Sequence, residues 1–480
     1  MKLAETTHPK TLRIFFATEM WERYGFYVVQ TLLALYLALH FKWPDKDVYV
    51  LVGSFTALTY ISPVVGGWIA DRLIGQKLAI LVGALVLLIS YFLLSLMTSS
   101  QSLCFCLSGI VVGTGLLKPN ISSLLGNEYP DGATNRESGF TIFYMGLTTG
   151  IILGTFLPSY LGERFGWSVA FLSAAFGMII AAAVFLFGIH YYRIKDYHKH
   201  ALTTRNIALS LGLIGLLWGL AFYILNYPML ANIVFVMVVI FSVFYVIDCV
   251  KDESPAQARQ TIVLGILCLI SVLFWAFYFQ MFMSLTLFIS RVVNPSLFGF
   301  PFAPPFYVGV QSIGMIVLGM MLSRSRQTLP RNEQIIRIGN KFLIALCCMA
   351  IAYGLITIIC HFNFPYGLLS PLYLIPAYLV ISLAELLLSP VGLSAVTVLA
   401  SRKKVSTMMG IFFISLGLGA FLAGKLATIT AVSSSVMSIT LLKVHYAHSF
   451  SILLVILLVS TACCVILNGL IHRLMKRKLA

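Results

Sequence analysis

Fourteen apolar stretches, each near the length of a membrane-crossing helix, run through this chain and leave it few folds to choose from. They begin near residues 13, 48, 78, 101, 139, 168, 205, 229, 261, 303, 341, 369, 405 and 449 and are rich in Leu, Ile, Val, Phe and Gly. A helix needs about 20 apolar residues to cross the hydrocarbon core. Backbone N–H and C=O groups find no water there, so only helices or closed barrels satisfy them. The short alternating segments of a barrel are absent. Of the 480 residues 60% are hydrophobic and 10% charged, too little polar surface for a water-soluble protein of this size. An all-α membrane protein with 14 transmembrane helices is therefore expected. Met1–Lys10 is polar and the first apolar stretch carries charges, so no cleavable signal peptide is expected.

The formal charge of +16 raises the question of nucleic acid, and its distribution answers it. With the N-terminus placed in the cytoplasm, 24 of the 32 Lys and Arg fall on that side. Among them are Arg72, Lys77, Arg193, Lys195, Lys199, Arg205, Arg324, Arg326, Arg331, Arg337, Lys341, Arg402, Lys403, Lys404, Arg473, Lys476, Arg477 and Lys478. Lys42, Lys46, Arg164, Arg291 and Lys443 fall outside, and Arg23, Lys118 and Lys425 lie within spans. Such an asymmetry places both termini in the cytoplasm. The excess is topogenic, with anionic lipid headgroups as secondary partners and no nucleic acid. Short loops and compact length suggest a bacterial inner membrane. The nine cysteines fall mostly within apolar spans and show no metal or disulfide spacing, which reads as inert thiols.

The spans group as six, two and six. The first six end near Tyr192, a pair follows with a tight Asn226-Tyr227-Pro228 turn, and the last six begin near Thr261. The expected divisions are an N-terminal bundle over 1–192, extra helices and linkers over 193–260, and a C-terminal bundle over 261–480. A weak echo relates the halves: Lys118-Pro119-Asn120 in the fourth span and Ser389-Pro390-Val391 in the fourth span of the second half. Two six-helix bundles around a central site describe the major facilitator fold. Gly67–Lys77, between the second and third spans, also resembles the major facilitator loop signature, with an acid and a base at a helix end.

Five charges interrupt the apolar spans: Glu19, Glu22 and Arg23 in the first, Lys118 in the fourth, and Glu385 late in the chain. A charge at the bilayer centre costs roughly 2.5–3.5 kcal/mol on the lenient insertion scale, so such residues normally face a cavity and one another. At about 100° per residue, Glu19, Glu22, Arg23, Phe26, Tyr27 and Gln30 share an arc of about 140°. Arg23 can pair with Glu19 one turn earlier, and a proton on a glutamate would release the arginine. Charged solute and protons are what such an interior handles.

Glu19-Met20-Trp21-Glu22-Arg23-Tyr24-Gly25-Phe26-Tyr27 resembles the E-x-x-E-R-F-x-Y-Y motif of the proton-dependent oligopeptide transporter family. The resemblance extends to the lysine segment Gly113–Asn120, to Phe143–Gly150, to Phe274-Trp275-Ala276 with Gln280, and to Glu385 with Ser389–Gly392. It implies a symporter taking up di- and tripeptides with protons by alternating access, its energy supplied by the proton gradient, with no cofactor, metal or catalytic residue. Carried over residue by residue, Arg23 and Lys118 engage the peptide carboxylate and Glu385 its amino terminus. Tyr27 and Tyr60 contact the backbone, and Gln30 and Thr148 line the same site. Glu19 and Glu22 join Arg23, Lys118 and Glu385 in proton coupling, and a Lys118–Glu385 pair closes the cytoplasmic gate.

The chain departs from the family pattern at several places. Gln30 stands where a second arginine is usual, Phe279 replaces an acid, Thr148 an asparagine, Phe26 a tyrosine, and Gly314 an asparagine. The site is thereby less polar, which keeps open a same-fold carrier of amino acids, peptidomimetics or another small organic solute. A membrane enzyme is disfavoured: the nine histidines lie in loops or at span ends and no H-E-x-x-H pattern occurs.

Overall fold

The computed structural model describes residues 8–97, 99–129, 135–197, 202–322, 331–361, 367–401, 404–433 and 438–476. Residues 1–7 and the cationic positions Lys199, Arg324, Arg326, Arg402, Lys403, Arg477 and Lys478 lie outside these ranges. The described chain is almost wholly helical. In order it contains α1 (Leu12–Leu35), α2 (Asp45–Ile69), α3 (Gln76–Ser95), α4 (Ser100–Asn127) and α5 (Arg136–Phe165). Then come α6 (Trp167–Tyr191), α7 (Thr204–Asn226), α8 (Pro228–Lys251), α9 (Pro255–Tyr278) and α10 (Ser284–Val292). The last are α11 (Pro305–Leu322), α12 (Arg331–His361), α13 (Ile375–Leu399), α14 (Val405–Ala427) and α15 (Ile439–Lys476). A 3₁₀ turn, Phe279–Phe282, joins α9 to α10 within one span, Pro255–Val292.

Among the described residues, 13 helical segments have the length and composition to cross a membrane. Helix α1 has the length, but its 24 residues carry Arg13, Glu19, Glu22 and Arg23. With it the expected fourteen spans are all present. Helices α12 and α15 begin at Arg331 and Ile439, ten residues before the expected starts near 341 and 449. The reason is physical: the helix continues past the apolar window through polar residues such as Asn332, Glu333, Lys443 and His445.

The segment Gly67–Lys77 is likewise more helical than a loop. Helix α2 runs on through a π-helical turn, Ala70–Ile74, and the chain breaks only at Gly75, whose φ of 82° suits a residue without Cβ. Helix α3 then starts at Gln76. Asp71 and Arg72 are exposed. The acid that engages this helix end is Asp196, which follows α6. Its carboxylate accepts from the backbone N–H groups of Gln76 (3.3 Å) and Lys77 (3.1 Å), while Lys77 Nζ donates to Ile194 O at 3.0 Å. The first turn of α3 leaves N–H groups without intrahelical partners, and an anion there satisfies them.

By internal contacts the chain forms two units. The first holds α1 through Leu33, α2 from Leu58, and α3 to α7. Within it α3 packs on α4 and α6, α5 on α6, and α7 on α4. Trp218 of α7 stacks on Phe105 and donates Nε1–H to Phe105 O at 3.0 Å. The second unit holds Ala34–Ala57 and the chain from Met229 onward. There α12 packs on α13 and α15, α9 on α14, and α11 on α13, while Phe235 of α8 stacks on Phe421 at 4.2 Å. At one end of this unit Arg291 donates to both carboxylate oxygens of Asp45, each at 2.7 Å, and to Tyr446 Oη at 2.9 Å. Asp45 also accepts from Val432 N–H at 2.9 Å. All nine cysteines are free thiols, and all but Cys347 and Cys463 are buried.

Candidate functional site

Glu19, Glu22, Arg23, Tyr27, Gln30, Tyr60, Lys118 and Thr148 belong to the first unit and Glu385 to the second. On α1, Glu22 and Arg23 are sequence neighbours about 100° apart around the axis, a spacing at which side chains do not ordinarily meet. The long arginine stem closes the gap. Arg23 Nη2 donates to Glu22 Oε1 at 2.5 Å and Nε donates to Glu22 Oε2. Arg23 Nε also lies 3.6 Å from Glu19 Oε1, the expected contact one turn earlier. Bidentate pairing with Glu22 is thus the main bond and Glu19 the weaker partner.

All three side chains are at most 3% exposed. One guanidinium therefore serves two buried carboxyl groups. Glu19 Oε2 is buried without a hydrogen-bond partner among the described residues. Phe26 presents its ring face 4.9 Å from the Arg23 guanidinium carbon, an attraction the ring quadrupole supplies.

Helix α5 holds this cluster in place from behind. Gly146, Gly150 and Gly154 recur every four residues, against Phe16, Met20 and Tyr24 of α1. A Cβ at Gly150 would collide with Met20 O and come within 2.9 Å of Arg23 Cβ. The stripe lets two backbones approach as small residues do in membrane helix pairs. Gly150 lay within a segment quoted for its family resemblance; its spacing from Gly146 and Gly154 was the signal for this packing.

Lys118 places Nζ 4.9 Å from the centre of the Tyr60 ring. Helices α2 and α4 come close here because Gly66 rests against the Gly115 carbonyl and Ser62 donates to Val111 O at 2.9 Å. Pro119, inside α4, has no N–H to offer the Gly115 carbonyl four residues back, so Gly66 rests on a carbonyl relieved of its helical bond. Gln30 is 2% exposed, and Tyr27 sets its ring edge-on to Phe26 at 5.5 Å. Thr148 donates its hydroxyl to Tyr144 O at 3.0 Å, within its own helix, leaving only its lone pairs for a ligand.

In the second unit, Glu385 of α13 accepts two hydrogen bonds on one oxygen. Tyr278 Oη donates to Oε2 at 2.8 Å and Gln311 Nε2 donates to Oε2 at 2.6 Å. Neither partner was singled out from sequence; the signal was an amide three residues before Gly314 on α11 and a hydroxyl three residues after Trp275. Phe279 is 1% exposed and stacks on Trp275 at 5.4 Å, so the acid's place is filled by an aromatic cluster. At Gly314, a Cβ would come within 2.6 Å of Ser382 Oγ. That hydroxyl shares its one proton between Gln311 O (2.7 Å) and Tyr378 O (2.9 Å). A side chain at 314 would have to displace the Ser382 hydroxyl and the end of Leu379.

Comparison with known proteins shows the family and the fold. A family model described as the POT family matches residues 77–443. Dipeptide and tripeptide permease A of Salmonella typhimurium is 30% identical over 437 residues, covering 89% of this chain and 85% of the relative. A crystal structure of a peptide transporter POT mutant in complex with alafosfalin superposes with a TM-score of 0.84 at 24% identity, covering 99% of this chain and 98% of the other. A structure described under substrate recognition in proton dependent oligopeptide transporters gives a TM-score of 0.83 at 25% identity, covering 97% of this chain and 99% of the other. The fold is the major facilitator type.

Proposed function

The chain belongs to the POT family, and from that premise we propose that it takes up di- and tripeptides together with protons, by alternating access. The Salmonella relative is named for both peptide classes. The observation that carries the proton reading is the α1 cluster: one buried guanidinium shared between two carboxylates, with one Glu19 oxygen unpartnered. A proton on Glu19 would make that oxygen a donor and remove one of two charges competing for Arg23. A proton on Glu22 would break the bidentate grip and turn the guanidinium toward an arriving carboxylate, for which its planar fork is matched.

In this reading Arg23 and Lys118 take the peptide carboxylate, Tyr27, Tyr60, Gln30 and Thr148 line its path, and Glu385 takes the ammonium group. A zwitterion requires cations for one end and an anion for the other. Energy comes from the proton gradient, and both termini lie in the cytoplasm of a bacterial inner membrane. Purified protein in liposomes should accumulate labelled dipeptide when the proton concentration is higher outside, and collapse of the gradient by a protonophore should remove the accumulation. Uptake indifferent to the gradient for every di- and tripeptide would refute the proposal. A second reading, a carrier of single amino acids or another small organic solute, is favoured by the apolar environment of Phe279 and the closed space at Gly314. Thermal-shift screening of peptides against single amino acids separates the two.

A further inference from the structure

The two hydrogen bonds on Glu385 are unevenly placed. Both Tyr278 Oη and Gln311 Nε2 donate to Oε2, and among the described residues no hydrogen bond falls on Oε1. Gln311 is itself fixed: it is 2% exposed, and its backbone carbonyl accepts the Ser382 hydroxyl at 2.7 Å. Ser382 lies one turn before Glu385 on α13, so the same short patch of α13 grips Gln311 through its backbone and is gripped by its side chain. One turn further along α11, Gly314 contributes no side chain, and Gln311 is the amide that this face of α11 brings to α13. Two donors on one oxygen restrain the carboxylate's rotation, while the lone pairs of the other oxygen stay available to a further donor.

We propose that Gln311, with Tyr278, is a positioning residue that locks Oε2 of Glu385 and leaves Oε1 to receive the substrate's ammonium group, thereby setting the preference for peptides with a free amino terminus. This rests on the peptide reading above. It assigns to Gln311 a part in selectivity with no direct contact to the substrate. A neutral donor to a charged group is worth more than one between neutral partners. Loss of the lock is felt only by ligands that use the carboxylate.

The test compares dialanine with N-acetyl-dialanine as competitors of labelled dipeptide binding to purified full-length protein. Wild type should favour dialanine. Gln311→Leu should weaken dialanine by about tenfold, a change of about 1.4 kcal/mol, while leaving N-acetyl-dialanine within about twofold, so that the ratio narrows. Gln311→Asn, which keeps the amide on a shorter stem, should recover part of the ratio. Should Gln311→Leu not fold, Tyr278→Phe removes the other donor from the same oxygen and should narrow the ratio in the same direction. An unchanged ratio in the folded variant, or equal weakening of both ligands, overturns the assignment while leaving peptide transport standing. Absence of any peptide binding by wild type removes the peptide reading and this inference with it.

Discussion

Arg291, at the end of α10, grips Asp45, in the first turn of α2, with both terminal guanidinium nitrogens. The two are 246 residues apart in sequence, and Tyr446 and the Val432 N–H complete the cluster. The pair fastens the segment Ala34–Ala57 within the second unit. Asp45 is 4% exposed and Arg291 23%, so the carboxylate is the more deeply held partner.

Removing Arg291 leaves the buried Asp45 charged and poorly solvated, a situation costing about 3–5 kcal/mol for a buried pair and less where, as at Arg291, the stranded group is partly exposed. Arg291→Gln should lower the thermal midpoint of detergent-solubilised protein more than Asp45→Asn, because it strands the deeper charge. The double variant should cost less than the sum of the singles. Additive losses in differential scanning fluorimetry would show that the two side chains contribute independently.

The α1 cluster gives a functional prediction. Glu22→Gln keeps the shape and one acceptor but removes the charge that Arg23 chelates. Lys118→Ala removes the cation above Tyr60. Each should cut gradient-driven peptide uptake at least tenfold, equivalent to about 1.4 kcal/mol, with an unchanged size-exclusion profile. Wild-type accumulation in either variant, measured in liposomes with an inward proton gradient, would exclude that residue from coupling.

Close approach of α5 to α1 predicts a steric effect. Gly150→Leu drives a side chain into the Met20 carbonyl and the Arg23 stem. Overpacking of this kind costs about 1–3 kcal/mol, and the backbone atoms opposite cannot step aside. The variant should lose the monodisperse size-exclusion peak. Gly212→Leu, on α7 where a Cβ meets nothing within 4 Å, is the matched control and should leave the peak intact.

Asp196 satisfies the first backbone N–H groups of α3 from a segment 119 and 120 residues away. Asp196→Ala should destabilise by about 1 kcal/mol, the usual scale of a lost N-terminal helix cap. Asp196→Asn, which keeps an acceptor but loses the charge, should cost less. Equal midpoints for both variants and wild type would mean that solvent replaces the carboxylate without loss.

Helix number and type were legible in the sequence because the bilayer constraint acts on each span separately. Twenty apolar residues specify a spanning helix whatever its neighbours are. The i to i+4 relation of Glu19 and Arg23 was legible for the same reason, since helical geometry fixes it locally. The dominance of Glu22 over Glu19 was not, because it depends on how a flexible arginine stem folds back on its own helix. Contacts between distant segments were beyond reach from sequence alone. Tyr278 and Gln311 meet Glu385 only through the packing of α9, α11 and α13, and Asp196 reaches α3 only because the chain after α6 returns there. Helix ends were misplaced where polar residues continue a helix beyond its apolar window, as at Arg331 and Ile439.

The close seat of Gly314 against Ser382 bears on which substitutions the α11–α13 seam admits. Restoring an asparagine at 314 first requires space, which Ser382 yields only by giving up its bonds to Gln311 and Tyr378. Shrinking residue 382 first would loosen the α11–α13 seam with nothing yet to fill it. A side chain at 314 and the hydroxyl at 382 compete for one volume, so substitutions at the two positions should be coupled and not additive. A longer residue at 314 is therefore tolerated only together with a smaller or displaced residue at 382.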